Sequence, residues 1–339
     1  MRRRLVPFFR ALWLALAMVA TPALAREIVD MAGRRVQVPD DIRRVYVAHD
    51  PPLLFMEALA PDLLLGTTLK HSAAAKRFLP PEVRRLPFLG GFGRVNLERL
   101  VALKPDVVLV WNMRGQPDQI LSRATELGLP AVMVDAAPFS HYAASFRFLG
   151  RLLNREQRAE ELAQALEHDA EKLAADLAQI PAPERARVYY ADSADGLQSQ
   201  CAGFFRGEIV ELSGARNALA CDMPDAMNAR ATVNLEKLLL LDPDAILSRT
   251  RATARFIAGD PGWGALRAVR EHKIFAAPEL PFLWVERPHS HFKILAARLF
   301  AHALCPQRIA FDFNTETRAF YKTFYRMELS DDDLARLRD

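Results

Sequence analysis

Apolar runs alternate with amphipathic stretches along most of this chain. Continuous runs such as DVVLVW at residues 106–111 and PAVMVD at residues 130–135 are typical of strands buried on both faces. Between such runs, apolar residues recur every three or four positions, as in QILSRATELG at residues 119–128, which predicts helices. Strands that alternate with helices favour a mainly parallel sheet. The pattern therefore predicts an α/β fold.

One segment of the pattern occurs twice. NLERLVALKPDVVLV at residues 96–110 returns as NLEKLLLLDPDAILS at residues 234–248, with eight of fifteen positions identical in register. Each copy reads as a short helix, a Pro-Asp pair and a buried strand. The copies are 138 positions apart, whereas the units of a solenoid recur every few tens of residues. The repeat therefore indicates two lobes of similar construction.

Residues 156–180, EQRAEELAQALEHDAEKLAADLAQI, form the strongest helical pattern and lie between the two halves. A helix of that length spans about 37 Å, and the absence of a Gly/Ser linker predicts stiff coupling. A length of 339 residues with 51% apolar residues suffices for two cores. We predict two Rossmann-like lobes with mainly parallel sheets, joined by a single long rigid helix. The predicted segments are a signal peptide (1–25), an N-terminal α/β lobe (26–139), a connecting helical segment (140–180), a C-terminal α/β lobe (181–310) and a helical tail (311–339).

The first 25 residues are typical of an export signal. MRRRLVPFFR is basic, ALWLALAMVA is apolar, and the chain then reaches an A-x-A site that ends at Ala25. The apolar run is shorter than the roughly 20 residues that span a bilayer. The sequence has no cysteine near the site, so lipid attachment there is not indicated. We therefore expect cleavage near Ala25 and a soluble, monomeric periplasmic protein without membrane insertion.

Charge and cysteine content exclude some classes of function. The net charge of +4 belongs to four arginines of the predicted signal, because 41 basic residues face 41 acidic ones in the remainder. A neutral chain does not indicate nucleic-acid binding. Three cysteines are compatible with one disulfide and one thiol, but the sequence leaves the pairing open. No C-x-x-C pair supports a thiol-disulfide enzyme or a cysteine-built zinc site.

Several stretches together resemble one protein family. They are the signal peptide, IVDMAGRRVQVP, GRVNLERLVALKPDVVLVW, the long central helix, GEIVELSGARNAL and WGALRAVREHKIFAAPELPFLWVERP. In this order they resemble the periplasmic substrate-binding proteins of ABC importers, in the class whose lobes are joined by one helix. That family handles siderophores, cobalamin, heme and some metal oxyanions. The resemblance covers nearly the whole chain after the signal, and the specificity lies in the combination of motifs.

The resemblance implies a partner, the inner-membrane ABC permease dimer. In relatives such as the cobalamin-binding protein, each lobe presents a glutamate at the start of such a helix to arginines of the permease. The matching residues are Glu98 and Glu236. A carboxylate in a first helical turn is also favoured by the helix dipole, and Asn96 and Asn234 are good N-caps. The alternative is therefore that both glutamates only stabilise helix starts.

The ligand is expected between the lobes, at the loops that follow the carboxyl ends of the parallel strands. Arginines are frequent there, and guanidinium groups bind carboxylates, catecholates and oxyanions bidentately. We predict an anionic metal chelate of the iron-siderophore type, with cobalamin, molybdate or tungstate as alternatives. The candidate ligand-binding residues are His49, His71, Phe92, Arg94, Trp111, Arg114, Tyr190, Arg230, Arg249, Trp284 and Arg287. Further loop positions are Asp50, Lys70, His141, Tyr142, Gln198, Arg206, Arg251, Arg255 and His289.

Three of these candidates bear on the choice of ligand through the resemblance. Phe92 and Trp111 match positions where the cobalamin-binding relative has aromatic walls, but Arg230 stands where that relative has another aromatic residue. This departure speaks against a corrin ligand. The stretch ELPFLWVERPHSHF resembles the iron-chelate and oxyanion branches of the family more than the cobalamin branch.

No motif in the chain indicates catalysis or a resident metal. The sequence has no G-x-S-x-G elbow, Walker loop or H-E-x-x-H. Only His289 and His291 are closely spaced, and an i, i+2 pair on a helix points apart. We expect no enzymatic activity, no cofactor and no dedicated metal site. A secreted hydrolase with an unrecognised site is the alternative from another class, and coordination of a chelated metal by one histidine stays open.

Overall fold

The computed structural model of the protein describes residues 25–90, 97–113, 116, 118–221 and 230–338, without the side chain of Leu97. Three predicted ligand-binding residues, Phe92, Arg94 and Arg114, lie outside the described residues, as does nearly all of the predicted signal peptide.

The N-terminal lobe is built around a parallel sheet. Its strands are β1 (Ala25–Val29), β2 (Arg35–Pro39), β3 (Val45–Val47), β4 (Val107–Trp111) and β5 (Ala131–Val134). Its helices are α1 (Asp50–Leu59), α2 (Ala73–Lys76), α3 (Pro81–Arg84), α4 (Leu97–Leu103), α5 (Gln119–Glu126) and α6 (Tyr142–Leu153). Strands β3, β4 and β5 pair in parallel in that order, and β1 and β2 form an antiparallel hairpin. Every residue of the three central strands is buried, as the continuous apolar runs predict.

The C-terminal lobe follows a 23-residue helix, α7 (Glu156–Ala178). Its strands are β6 (Arg187–Ala191), β7 (Gln198–Gln200), β8 (Arg216–Asn217), β9 (Arg230–Thr232), β10 (Ala245–Ser248) and β11 (Ile274–Ala276). Its helices are α8 (Glu208–Leu212), α9 (Leu235–Leu241), α10 (Arg251–Gly259), α11 (Arg267–Arg270) and α12 (Phe292–Leu304). The main sheet is parallel with the order β11-β10-β6-β8, and β7 and β9 form a separate antiparallel pair. The predicted α/β class with parallel sheets is therefore confirmed.

The two copies of the repeated segment form α4 with β4 and α9 with β10. Both helices are followed by a residue with positive φ, Lys104 at 46° and Asp242 at 36°. The Pro-Asp pair then begins the strand, and each aspartate accepts a backbone N–H from the neighbouring strand segment: Asp106 from Arg44, and Asp244 from Arg187. The repeat is thus one structural unit used at equivalent places in both lobes.

The connecting segment is a helical hairpin. Helix α6 is followed by Asn154, whose φ of 54° reverses the chain, and α7 packs back along α6. Arg147 on α6 makes ion pairs with Glu160 and Glu167 on α7, which are about two turns apart. The long helix is therefore supported along its first half by the N-terminal lobe. Its 23 residues span about 34 Å.

The C-terminal tail strengthens the coupling between the lobes. Helix α13 (Phe313–Tyr325) packs against both α1 and α12, and Arg158 on α7 donates to the carbonyl oxygens of Thr323 and Phe324. Helix α14 (Asp331–Arg338) supplies carboxylates to Arg77 in the N-terminal lobe. The lobes therefore share a continuous packed base in addition to α7.

The close approach of α6 and α7 depends on Gly150. A Cβ atom at this position would lie 2.3 Å from Cβ of Ala159. We expect Gly150→Ala to lower the free energy of unfolding by about 1–2 kcal/mol, because overpacking of up to about 3 kcal/mol outweighs a helix-propensity gain of roughly 1 kcal/mol. Urea unfolding followed by circular dichroism measures the change.

Two variants control for this effect. Adding Ala159→Gly to Gly150→Ala should recover most of the lost stability, because it removes the methyl group that clashes. Gly259→Ala, in α10, should be neutral or stabilising, since a Cβ there meets no atom within 4 Å. Equal stability of the Gly150 and Gly259 variants would contradict the tight helix contact.

The sequence left the cysteine pairing open, and the structure joins Cys201 to Cys221 and leaves Cys305 as a thiol. Across the described ranges, no helix is both long enough and apolar enough to cross a membrane.

Candidate functional site

The carboxyl ends of the central strands bring polar and aromatic side chains to the junction between the lobes, where the ligand cleft is predicted. Trp111 is the last residue of β4 in the N-terminal lobe, while Asp192 follows β6 and Arg249 follows β10 in the C-terminal lobe. Strands β6 and β10 are neighbours in one parallel sheet, so the residues that follow them lie side by side.

Asp192 lies at the centre of an arginine cluster. Its buried carboxylate lies 2.8 Å from Nη2 of Arg287, 3.2 Å from Nε of Arg230 and 3.3 Å from Nε of Arg249. Gln200 donates a further hydrogen bond of 2.7 Å to the same carboxylate. All three arginines are partly exposed, so they retain N–H groups for a ligand. Three positive charges around one negative charge make this side of the cleft attractive to anions.

A second carboxylate, that of Glu286, lies beneath the cluster. The side chain is fully buried, and it lies 3.3 Å from Nε of Arg287 and 3.9 Å from Nη1 of Arg206. Tyr190 donates a long hydrogen bond of 3.4 Å to it. Burial, together with repulsion from Asp192, raises the pKa of Glu286 to about 7, although Arg287, Arg206 and Lys293 act in the opposite direction. Near neutral pH, therefore, Glu286 cancels only part of the positive charge.

Three rings contact one another where the lobes meet and form the aromatic floor of the predicted cleft, with Trp111 and His289 buried. The Trp111 ring lies 6.3 Å from the Phe205 ring and 5.7 Å from the His289 ring, and Phe205 lies 5.0 Å from His289. Burial and the nearby cations Lys293, Arg206 and Arg287 lower the pKa of His289 well below its usual value. The imidazole is therefore neutral near pH 7. Among the described residues, none makes a hydrogen bond to its buried Nε2 atom.

A buried ion pair lies behind this floor and ties the lobes together. Glu208, at the start of α8, accepts hydrogen bonds from the backbone N–H of Phe139 in the N-terminal lobe, at 3.1 and 3.2 Å. The same carboxylate lies 2.5 Å from Nζ of Lys293, which is buried and also lies 6.0 Å from the centre of the Tyr142 ring. Lys293 holds the Glu208 carboxylate in place, and that carboxylate binds the backbone of Phe139 in the other lobe. These contacts fix the position of one lobe relative to the other.

Comparison with protein families decides what kind of molecule presents this cleft. The sequence profile of the periplasmic binding protein family matches residues 67–280. The chain belongs to the periplasmic binding protein family. The match contains the repeated segment, α7 and most of the arginine cluster. The predicted class, that of ABC-importer binding proteins whose lobes are joined by a helix, is confirmed.

Named relatives and solved structures agree with this family. The molybdate-binding protein MolA of Haemophilus influenzae is 27% identical over a 349-residue alignment that covers 95% of this chain and 97% of MolA. The vitamin B12-binding protein of Salmonella typhimurium is 27% identical over 227 residues, which cover 66% of this chain and 79% of that protein. An ABC transporter solute binding protein from Sulfurospirillum deleyianum superposes with a TM-score of 0.83 at 29% identity, covering 92% of this chain and 98% of that structure. These relatives bind solutes and are not named as enzymes.

Not all predicted ligand-binding residues of this periplasmic binding protein reach the cleft surface. Trp284 is fully buried, donates from Nε1 to the carbonyl oxygen of Leu280 and stacks on Phe313. Tyr190 is also buried and contacts Glu286 instead of the open cleft. The prediction of direct ligand contact is not supported for these two. An aromatic residue that follows a strand can pack into the core of its lobe or line a cleft, and the local sequence is the same in both cases.

The two predicted histidines of the N-terminal lobe are likewise buried. His49 accepts the backbone N–H of Trp111 and lies 3.2 Å from a carboxylate oxygen of Asp118, so it positions the last residue of β4. His71 lies 3.4 Å from the buried carboxylate of Glu57 on α1. His49 therefore contacts neighbouring polar groups of its own lobe, and the side chain of His71 is buried beside Glu57.

Asp192, Glu286 and Phe205 are central to the binding protein's cleft but were absent from the candidates. Asp192 directly follows the buried run VYYA, so the same strand-end rule that selected His49 and Asp50 predicts it. Glu286 precedes Arg287, and Phe205 precedes Arg206. No sequence signal shows that Glu286 lies beneath the arginine cluster or that Phe205 contacts Trp111 and His289. Within the described ranges, no group of three or more His, Cys, Asp and Glu side chains is arranged to hold a metal ion.

Proposed function

We propose that this protein is the periplasmic solute-binding subunit of an ABC importer and that its cargo is a compact anion. The observation that carries this proposal is the convergence of Arg230, Arg249 and Arg287 on the single carboxylate of Asp192. Guanidinium groups held by a buried acid are pre-oriented, so their remaining N–H donors bind an anion without further ordering. The signal-like segment before residue 26 supports export to the periplasm.

Within the anions, the class that fits best is a tetrahedral metal oxyanion such as molybdate or tungstate. The arginine donors surround a small region, and the contact between Trp111 and Phe205 closes the floor beneath it. MolA, whose solved structure holds molybdate, aligns with nearly the whole chain. An oxyanion needs several N–H donors around a small volume and little apolar surface, which is what the cluster provides.

An anionic iron chelate is the second candidate. The observation that favours it is the neutral imidazole of His289 on the aromatic floor, beside Trp111 and Phe205. Flat rings cover the apolar parts of a chelating ligand, and a neutral imidazole nitrogen is a good donor to iron. Cobalamin is less suited, because it offers little negative charge to the arginine cluster.

Isothermal titration calorimetry separates these ligands. We expect micromolar or tighter binding of molybdate or tungstate, weaker binding of a ferric tris-catecholate and no binding of cobalamin. Native mass spectrometry of the protein isolated from its own periplasm gives an independent mass for the natural cargo. Binding of cobalamin alone, or of no anion, would contradict the proposal.

Anion binding should also depend on pH through Glu286, whose pKa of about 7 results from burial and from repulsion by Asp192. A bound anion stabilises the protonated carboxyl, so affinity is highest below pH 7 and falls as the carboxyl ionises above it. We expect affinity to weaken by about five-fold from pH 6 to pH 8, as for a bound anion that raises this pKa by about one unit. In this range the facing His289 contributes little, because burial and the nearby cations hold its pKa well below the usual value and keep it neutral.

The matched variant is Glu286→Gln, which keeps the shape of the side chain and removes its charge. Calorimetry of this variant should show high affinity at pH 6 and pH 8 alike, with an anion whose own charge is constant over that range. A slope that persists in Glu286→Gln would assign the pH dependence to another group.

The contact with the permease is proposed for Glu98 and Glu236. Both are exposed, and each lies in the first turn of its helix, α4 or α9. Asn234 caps α9 by accepting the backbone N–H of Lys237 and donates from Nδ2 to Glu236 at 3.0 Å. Asn234 therefore caps α9 without a backbone hydrogen bond to the Glu236 carboxylate. That carboxylate is available to a partner.

A further inference from the structure

The repeated segment presents exposed apolar side chains as well as glutamates. Val101 is 47% exposed and Leu239 is 45% exposed, and they occupy the same position in the two copies. Leu240, the next residue of the second copy, is 85% exposed, the largest value among the described large apolar residues. Each apolar side chain follows a proposed docking glutamate by three or four residues. Helical positions with that spacing share one face.

This exposure is built into both helices. Leu100 and Leu238, one position before Val101 and Leu239, anchor the helices in the cores of their lobes. From residue 98 to residue 110 and from residue 236 to residue 248, buried, intermediate and exposed positions follow the same order at all thirteen places. The helices are therefore seated identically, and their outer faces are held at equivalent positions.

Single exposed apolar residues are common on protein surfaces and need no explanation. Here the same feature appears twice, three residues after a glutamate in each of the two lobes. Packing within either lobe does not require it, because the apolar groups point away from the core. A contact that both helices make with the same external partner explains why both copies have an exposed apolar residue at this position.

We propose that each permease-docking surface consists of a carboxylate and an apolar contact one helical turn later: Glu98 with Val101, and Glu236 with Leu239 and Leu240. The inference rests on the proposed docking through the two glutamates. The occupant is the two-fold symmetric permease dimer, because only a partner with two equivalent sites matches two equivalent surfaces. Each of its sites then carries a basic group beside an apolar socket large enough for a leucine side chain.

The two halves of such a surface act differently. The carboxylates speed encounter and orient the complex, and their contribution falls with salt concentration. The apolar contacts slow dissociation, and salt does not screen them. Combined, they allow firm docking on a membrane protein at the ionic strength of the periplasm.

The test measures binding of the purified protein to the importer of the same organism, reconstituted in lipid nanodiscs. The test variants are the double substitution Val101→Asp with Leu239→Asp, and the single substitution Leu240→Asp. We expect each removed apolar contact to weaken binding about ten-fold or more. Affinity that remains in 0.5 M NaCl should disappear in the double variant.

Matched controls are Val29→Asp and Leu127→Asp. Val29 is an exposed valine on the β1-β2 hairpin, and Leu127 is an exposed leucine directly after α5. Both should bind the importer within two-fold of the unchanged protein. Ligand affinity by calorimetry should be the same in all variants, because the substituted residues lie outside the cleft.

Each alternative has its own result. If the apolar variants match their controls while Glu98→Lys with Glu236→Lys loses binding, the apolar contact is wrong and carboxylate docking stands. If the charge-reversal variant also binds normally, the docking proposal itself fails. The inference is also overturned if the apolar variants bind the permease normally but lose another interaction. Loss of self-association would assign the surface to a second copy of the chain. Loss of binding to protein-free anionic vesicles would assign it to a lipid surface.

Discussion

Reversing the charge of both docking glutamates, Glu98→Lys with Glu236→Lys, is expected to abolish ligand uptake in cells while leaving ligand affinity intact. Each substitution places a lysine where the proposed site on the permease is basic, so an attraction becomes a repulsion of several kcal/mol at two places at once. The cleft lies elsewhere in the lobes, and neither glutamate contacts Asp192 or its arginines among the described interactions. Uptake of labelled ligand, together with calorimetry on the purified variant, measures both effects.

The effect on folding should be small by comparison. A lysine in a first helical turn opposes the helix dipole by about 0.3–1 kcal/mol at an exposed position. Glu82→Lys is the matched control, because Glu82 is also an exposed first-turn glutamate, at the start of α3. It should lose similar stability and retain uptake. Normal uptake by the double variant with reduced stability would mean that Glu98 and Glu236 only stabilise their helices.

Removing arginines from the cleft is expected to have the second large effect. Arg287→Ala and Arg230→Ala should each weaken anion binding by about 1.5–3 kcal/mol, the usual contribution of a hydrogen bond to a charged group. In affinity this corresponds to roughly ten-fold to more than a hundred-fold. The two effects should not add fully, because both arginines contact the same carboxylate of Asp192. Calorimetry with molybdate on the single and double variants measures the coupling.

Two further variants show whether the loss of affinity comes from the guanidinium groups of the arginine cluster. Arg287→Lys keeps the charge but loses the planar pair of donors, so its affinity should lie between that of the unchanged protein and that of Arg287→Ala. Arg255→Ala removes an exposed arginine of α10 that has no place in the cluster and should bind normally. If Arg287→Ala and Arg230→Ala bind as well as Arg255→Ala, the ligand is held by other groups.

Local features of this protein followed from the sequence because they depend on residues within one or two turns of each other. The helical pattern at residues 156–180 became α7, two residues shorter at its end. The apolar runs became buried parallel strands, and the repeated segment became two equivalent helix-strand units. Helix capping, helical periodicity and the burial pattern of strands depend on neighbouring residues, so they can be predicted from the sequence.

The candidate site was only partly predictable. Placing ligand contacts after the strands selected Arg230, Arg249 and Arg287, which surround Asp192, and Trp111, which is buried against Phe205 and His289. The same rule also selected His49 and Trp284, which are buried in the lobes. A residue that follows a strand has the same local sequence whether its side chain turns into the cleft or into the core. Packing of the next element decides between them.

The α/β class, the repeated segment, the long helix and the family could be predicted from the amino-acid sequence, because each depends on local patterns. Three contacts required the folded chain: the approach of Arg287 to Asp192, the pairing of Cys201 with Cys221, and the hydrogen bonds from Phe139 in one lobe to Glu208 in the other. These contacts join elements distant along the chain. Their geometry depends on how both lobes pack around α7, and no short stretch of sequence contains that information.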